Sequence, residues 1–237
     1  MPTQVLIIVF FRLLFPFQEV FMTGPPTAGI TEPEHGSSIL YKELACPEIS
    51  EEAFRLAMEG YGLIMQEHKL RRDTILTIID FSKPSTENRI FVIDLKNKKL
   101  LEKTLVAHGK GSGELYAENF SNRPHSLQSS LGFYITRNTY TGKHGYSLRL
   151  EGIEPGINSN AMERAIVMHG AGYVCSDYIK KYGRIGRSFG CPALPYALNR
   201  HVIDLVKNAS FLFIYYPDQK YRRTSMLISS VPGLISE

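Results

Sequence analysis

Cysteine is scarce: three residues in a chain of 237. That excludes a disulfide scaffold, and the odd number leaves at least one thiol unpaired within the chain. No stretch suits a membrane span. The apolar run near the start, Val5 to Phe11, is interrupted by Arg12 and resumes around Pro16, well short of the ~20 residues a spanning helix needs. Lys and Arg form no blocks, although 27 of them against 23 acids leave a net charge of +4. Nucleic acid is therefore not indicated, whereas an anionic polymer would suit a mildly basic surface. No internal repeat is visible. Neither C-x-x-C nor H-x-x-x-H occurs, so a four-ligand zinc site has no support. The remaining composition, 43% hydrophobic and 21% charged, is globular, and it excludes a disordered, collagen-like or polytopic membrane chain.

The length fits one domain with an N-terminal extension. The short apolar run matches a signal-peptide core of ~7–15 residues. Small residues follow it at Gly24-Pro25-Pro26-Thr27-Ala28-Gly29, but no Lys or Arg precedes it. Residues 1–28 are read as a signal peptide, which implies export to the periplasm or cell envelope with no membrane span after processing. A buried N-terminal element in a cytoplasmic thiol enzyme is the alternative. Residues 29–49 read as a linker, 50–220 as the catalytic domain and 221–237 as a C-terminal tail. Oligomeric state is not legible.

Within the domain, Ser50 suits an N-cap. Phe54, Ala57, Met58, Tyr61 and Met65 share one helical face, with Gly60 and Gly62 weakening its middle. Strands are predicted at Thr74–Phe81, Ile90–Leu95, Lys99–Ala107, Leu131–Thr136, Tyr146–Leu150, Ala165–His169 and Phe211–Tyr216. Helices are predicted at Ser176–Tyr182 and Tyr196–Asn208. The fold class is α+β, mainly β, with a few peripheral helices and a largely antiparallel or mixed sheet.

Glycine concentrates at two places. His108-Gly-Lys-Gly-Ser-Gly113 lacks the order of a phosphate loop and reads as a tight exit from a strand. The second is more specific. A strand delivers His169 to its end, Gly170 is expected to turn the chain there, and Cys191 stands in Ser188-Phe189-Gly190-Cys191-Pro192. A thiol attacks as thiolate, so a nucleophilic Cys191 calls for an imidazole within hydrogen-bond reach. His169 is the expected base, and His108, which also ends a strand before glycine, is the substitute or part of the cleft wall. Backbone N–H groups around Gly190 and Cys191 are expected to hold an oxyanion. Arg184 and Arg187 could bind a substrate carboxylate. Cys175 is read as structural or as disulfide-bonded to Cys46.

These residues resemble the murein L,D-transpeptidase catalytic domain, the YkuD-type cysteine transpeptidases. That family's His-Gly and Ser/Thr-x-Gly-Cys stand here as His169-Gly170 and Ser188-Phe189-Gly190-Cys191. Ser129-Ser130-Leu131-Gly132-Phe133-Tyr134 resembles its strand motif. GKHGYSLRL, the run ending in RAIVMHGA and GRIGRSFGCPALP resemble one divergent branch, over about Ser50 to Tyr216. The resemblance implies a YkuD-type sheet domain acting on peptidoglycan stem peptides, with Cys191 as nucleophile, His169 as base, the Gly170 carbonyl as its orienter and Ser188 near the site. No metal or organic cofactor is implied. The acyl acceptor stays open between an amine, which gives a 3→3 cross-link, and water, which makes an L,D-carboxypeptidase. A non-catalytic peptidoglycan-binding protein is a third reading. Ala193 departs from the Arg that most of the family carries two residues after the Cys.

Overall fold

Ser50 opens a helix by accepting the Ala53 N–H on its hydroxyl at 3.3 Å, which satisfies one of the free donors of the first turn. The helix, α2, spans Glu51–Glu67, and Glu51 and Glu52 place negative charge in its first turn, where the helix dipole favours it. The computed structural model describes residues 33–67 and 70–228. The proposed signal segment, residues 1–28, lies outside them. The buried face of α2 carries Ala53, Phe54, Leu56, Ala57 and Ile64, with Met58 and Tyr61 partly buried beside it and Met65 exposed. The expected face is extended toward Ala53, Leu56 and Ile64, and Gly60 lies against the core as well. A Cβ on Gly60 would collide with the Phe133 ring. The glycine that weakens the helix on propensity is what lets the helix lie against the sheet.

Residues assigned by composition to the linker form a further helix, α1, Pro33–Leu44, packed on α2. Gly36, Ser37 and Ser38 are weak helix formers. The helix is held by tertiary contacts: Leu44 is buried, and the Tyr41 hydroxyl donates to the Ile49 carbonyl at 2.7 Å.

Eight strands form one mixed sheet: β1 Arg72–Asp80, β2 Ile90–Asp94, β3 Lys99–Thr104, β4 Gly132–Gly142, β5 Gly145–Gly152, β6 Val167–Ala171, β7 Ala193–Pro195 and β8 Ser210–Tyr215, in the order β3-β2-β1-β8-β4-β5-β6-β7. Two antiparallel meanders, β1–β2–β3 and β4–β5–β6, are joined by β8, which runs parallel to β1 and antiparallel to β4. The expected α+β, mainly β architecture is what forms. The last six residues of β1 and all of β8 are buried. Both strands read as continuous apolar runs because they are covered on two faces. Helix α2 covers one and α4, Tyr196–Val206, contacts β1 as well. Phe133 and Phe213 stack at 4.4 Å in this core. The remaining helices are α3, Ser176–Tyr182, and α5, Gln219–Thr224.

The expected C-terminal tail is docked through residue 228. Tyr221, Ser225 and Ile228 are buried. The Tyr221 and Ser225 hydroxyls donate to the buried Glu154 carboxylate, which also accepts the Phe133 N–H at 2.7 Å. Asn158 donates to the Leu131 and Phe133 carbonyls at 2.9 and 3.0 Å. This fixes the strap between β5 and β6 to the start of β4.

At Gly60 two effects compete. Alanine gains about 1 kcal/mol of helix propensity over glycine, while an overpacked core loses about 1–3 kcal/mol. Gly60→Ala is expected to lower the urea midpoint. A raised midpoint would mean that Phe133 yields without cost.

Candidate active site

His169 lies inside β6 rather than at its end. It pairs with Ser147 of β5 and with Ala193 of β7, and the strand continues through Gly170 to Ala171. Gly170 therefore does not turn the chain. It is small because α4 crosses it: a Cβ there would stand 2.7 Å from Tyr196 Cδ1 and 3.1 Å from Asn199 Cβ. The Nδ1 of His169 is 3.0 Å from the Gly170 carbonyl oxygen. A carbonyl only accepts, so Nδ1 carries the hydrogen and Nε2 keeps its lone pair. Burial holds the imidazole below its ordinary range, against the opposing effect of that carbonyl, so the ring is neutral at pH 7.

Cys191 sits at the mouth of the β6–β7 pairing. The His169 N–H donates to the Pro192 carbonyl at 3.3 Å. One step back along β6, the Val167 N–H donates to Cys191 Sγ at 3.4 Å, so sulfur occupies the next acceptor position of the ladder. The thiol in turn points to the Ala165 carbonyl at 3.8 Å. The preceding loop is tightly held. Ser188 Oγ accepts the Gly190 N–H at 3.1 Å and donates to the Cys191 carbonyl at 2.6 Å. Gly190 has φ +127°, and a Cβ there would meet the Gln128 carbonyl at 2.8 Å, so glycine is required on both counts. Because Ser188 takes the Gly190 N–H, that donor is not free for an oxyanion. The Cys191 N–H makes no hydrogen bond among the described residues.

Among the described residues no hydrogen bond joins Sγ to His169. Burial pushes the Cys191 thiol up, with the Val167 N–H and the Arg164 charge pulling it down by less. The resting site is a neutral thiol near a neutral imidazole. The imidazole contact that the sequence calls for is not made in the resting site, and desolvation outweighs the local donors on the thiol.

Arg164 is a cation beside Cys191 that sequence reasoning missed. Its Nη1 donates to the Ser121 carbonyl at 2.7 Å and to Ser130 Oγ at 2.5 Å, and its Nη2 to the Gln128 carbonyl at 2.6 Å. No carboxylate neutralises it among the described residues, so its charge reaches Cys191. Its signal in the sequence was its place directly before the apolar run of β6. It supplies near the thiol a cation that Ala193 does not.

The other candidates are placed differently from expectation. Arg184 Nε and Arg187 Nη1 hold the two oxygens of Glu114 at 2.8 and 2.6 Å, and Arg187 also donates to the Gly113 carbonyl at 3.0 Å. They clasp the 108–114 loop to the 183–190 loop, and their carboxylate is the protein's own. His108 is a buried strut. Its Nδ1 is 2.8 Å from Arg89 Nη2 and its Nε2 is 3.2 Å from the Gly113 carbonyl. Burial and the Arg89 charge bring its pKa down to about 3. With both ring nitrogens engaged, it neither lines a cleft nor serves as a base. Cys46, Cys175 and Cys191 are all free thiols, so the disulfide alternative does not form. No group of three or more His, Cys, Asp or Glu among the described residues could hold a metal ion.

A sheet domain that places a tautomer-fixed imidazole on one strand and a thiol in the loop leading into the next defines the class. Residues 45–215 match the L,D-transpeptidase catalytic domain, and the chain belongs to that family; its sheet with peripheral helices is the YkuD-type fold. An L,D-transpeptidase from Mycobacterium smegmatis is similar at 12% identity and a TM-score of 0.38, over 60% of this chain and 59% of that one. L,D-transpeptidase 3 from Mycobacterium tuberculosis is similar at 10% identity and 0.39, over 60% and 61%. An L,D-transpeptidase from Xylanimonas cellulosilytica gives 12% and 0.34, over 65% and 68%. The chain thus spans about three-fifths of the length of the mycobacterial structures. No curated protein matches it.

Removing the Arg164 charge takes away a contribution that favours the thiolate. Arg164→Gln is therefore expected to move the pH profile of Cys191 alkylation to higher pH, and Arg164→Lys to move it less. An unmoved profile in the Gln variant would contradict this electrostatic role.

Proposed function

We propose that this chain is a peptidoglycan L,D-transpeptidase that works through Cys191. The observation that carries the reading is the sulfur held against a backbone N–H and near an uncompensated arginine, with the unprotonated Nε2 of His169 on the adjoining strand. In the reaction, the Cys191 side chain turns from the Ala165 carbonyl toward His169 and gives its proton to Nε2. The S–C bond forms to the carbonyl carbon of the third stem residue, diaminopimelate or lysine. The Cys191 N–H holds the oxyanion. The C–N bond to D-Ala then breaks, and the proton on Nε2 passes to the leaving amine. An amine of a second stem attacks the thioester, forming the 3→3 amide. The C–S bond breaks, and the proton lost by the amine returns to sulfur through His169.

Ser188 is given a positioning role, since its hydroxyl fixes both the Gly190 N–H and the Cys191 carbonyl. The substrate lies outside the cytoplasm, so we infer export. The apolar segment followed by small residues supports it, and residues 1–28 are then absent from the mature chain.

The test is mass spectrometry of purified stem tetrapeptides incubated with the protein. Released D-Ala with 3→3 dimers is the expected result. Tripeptide without dimers would assign water as the acceptor, and no release would overturn the enzyme reading. Cys191→Ala is expected to abolish release with the fold intact. Protein from the envelope of its native host should have an intact mass lacking residues 1–28, and an uncleaved cytosolic chain would contradict export.

A further inference from the structure

The segment GKHGYSLRL contains a residue that the proposed reaction leaves unused. Strands β4 and β5 form a hairpin closed by Gly142 opposite Gly145, with Lys143 and His144 as the two turn residues. Gly145 takes φ +73° to complete the turn. The exposed tip brings the His144 ring onto the ring of His169, with centroids 4.5 Å apart and planes 29° apart. The base of the hairpin is fastened to a neighbouring helix. Two residues after His144, the Tyr146 carbonyl accepts the Asn199 amide at 2.7 Å. The Tyr146 hydroxyl donates to Asp204 at 2.8 Å, and the Arg200 guanidinium lies 4.4 Å from its ring. All three partners belong to α4, and Asn199 also packs against Gly170. One helix therefore sets both the strand bearing His169 and the turn bearing His144.

We propose that His144 is a positioning residue for His169, acting through the face of its ring; this rests on His169 being the base. A single hydrogen bond from Nδ1 to Gly170 fixes one edge of the imidazole but leaves the plane free to tilt. A second ring flat against it removes that tilt and keeps water from that face, so Nε2 stays aimed where the thiol must deliver its proton. Misplacement of a reacting group by about 1 Å can cost on the order of a hundredfold in rate, and a loosened ring is a milder form of the same loss.

The experiment measures kcat and KM for D-Ala release from a purified stem tetrapeptide. It compares the wild-type protein with His169→Ala, His144→Ala, His144→Phe and Lys143→Ala, each checked for an unchanged melting transition. His144→Ala is expected to lose on the order of tenfold in kcat with KM unchanged. His144→Phe keeps a flat ring without ring nitrogens and should recover most of the loss. Lys143→Ala should behave as wild type. If His144→Ala matches wild type while His169→Ala is inactive, the inference fails and the base assignment stands. If His144→Phe is as slow as His144→Ala, the ring face is not what matters and the inference also fails. An active His169→Ala would overturn the base assignment, and the inference with it.

Discussion

The parallel pairing of β6 with β7 is the constraint on which the site depends. β7 is only three residues long, and such a short edge strand gains little from its own ladder. It is held from outside: Ala107 donates to the Ala193 carbonyl at 2.8 Å and accepts the Ala193 N–H at 3.3 Å. The Ser188 N–H is taken by the His108 carbonyl, and the Ser188 carbonyl accepts from Lys110. These bonds set the register in which Ala193 lies opposite His169. Sulfur then falls at the next acceptor position, opposite the Val167 N–H. A backbone N–H aimed at sulfur costs nothing to reorganise when charge develops there, which is the condition for electrostatic stabilisation in a closed site.

Two arginines organise the walls around this pairing, both in unusual settings. Arg89 is fully buried. It is solvated by the Val106 and Lys83 carbonyls and by His108, and burial lowers its pKa to about 9, which leaves it charged at neutral pH. Arg164 is likewise solvated by carbonyls and a hydroxyl. Burying an arginine is costly unless its donors are satisfied; Arg89 feels the Asp80 charge, and both guanidiniums donate to backbone carbonyls of the surrounding loops. The long 105–131 segment is thus held by these cations as well as by its bridges to Ala193 and Ser188. Near Cys191 the consequence is a positive charge not cancelled by an acid. Arg184 and Arg187, by contrast, share Glu114 and mainly join two loops.

Much of this was legible in the sequence. Strands with apolar alternation or apolar runs, such as β1, β2 and β8, appear within one or two residues of their expected limits, because burial on the sheet fixes both pattern and structure. That the His169 and Cys191 segments meet was legible from glycine and proline punctuation. What escaped depends on distant neighbours. Gly60 reads as a weak point in a helix until Phe133 is brought against it. Gly170 reads as a turn until α4 crosses the strand. His108 carries the same local signal as His169, an apolar strand followed by glycine, and only the buried Arg89 separates their roles. His144 has no local pattern, and Arg164 only its place before the apolar run of β6, since each acts on a partner in another element. Helix α1 was hidden by its serines and glycine, whose propensities are overridden by packing.

The central claim is that the resting site holds a neutral thiol, turned toward Val167 and Ala165, beside a neutral imidazole whose proton is on Nδ1. Nuclear magnetic resonance of protein labelled at cysteine and histidine tests it directly. The account predicts a thiol-like Cβ shift for Cys191 at neutral pH that changes only above the ordinary cysteine range. It predicts a His169 ring in the Nδ1–H form that stays neutral to below the ordinary histidine range. A thiolate shift for Cys191 together with a doubly protonated His169 at neutral pH would contradict it.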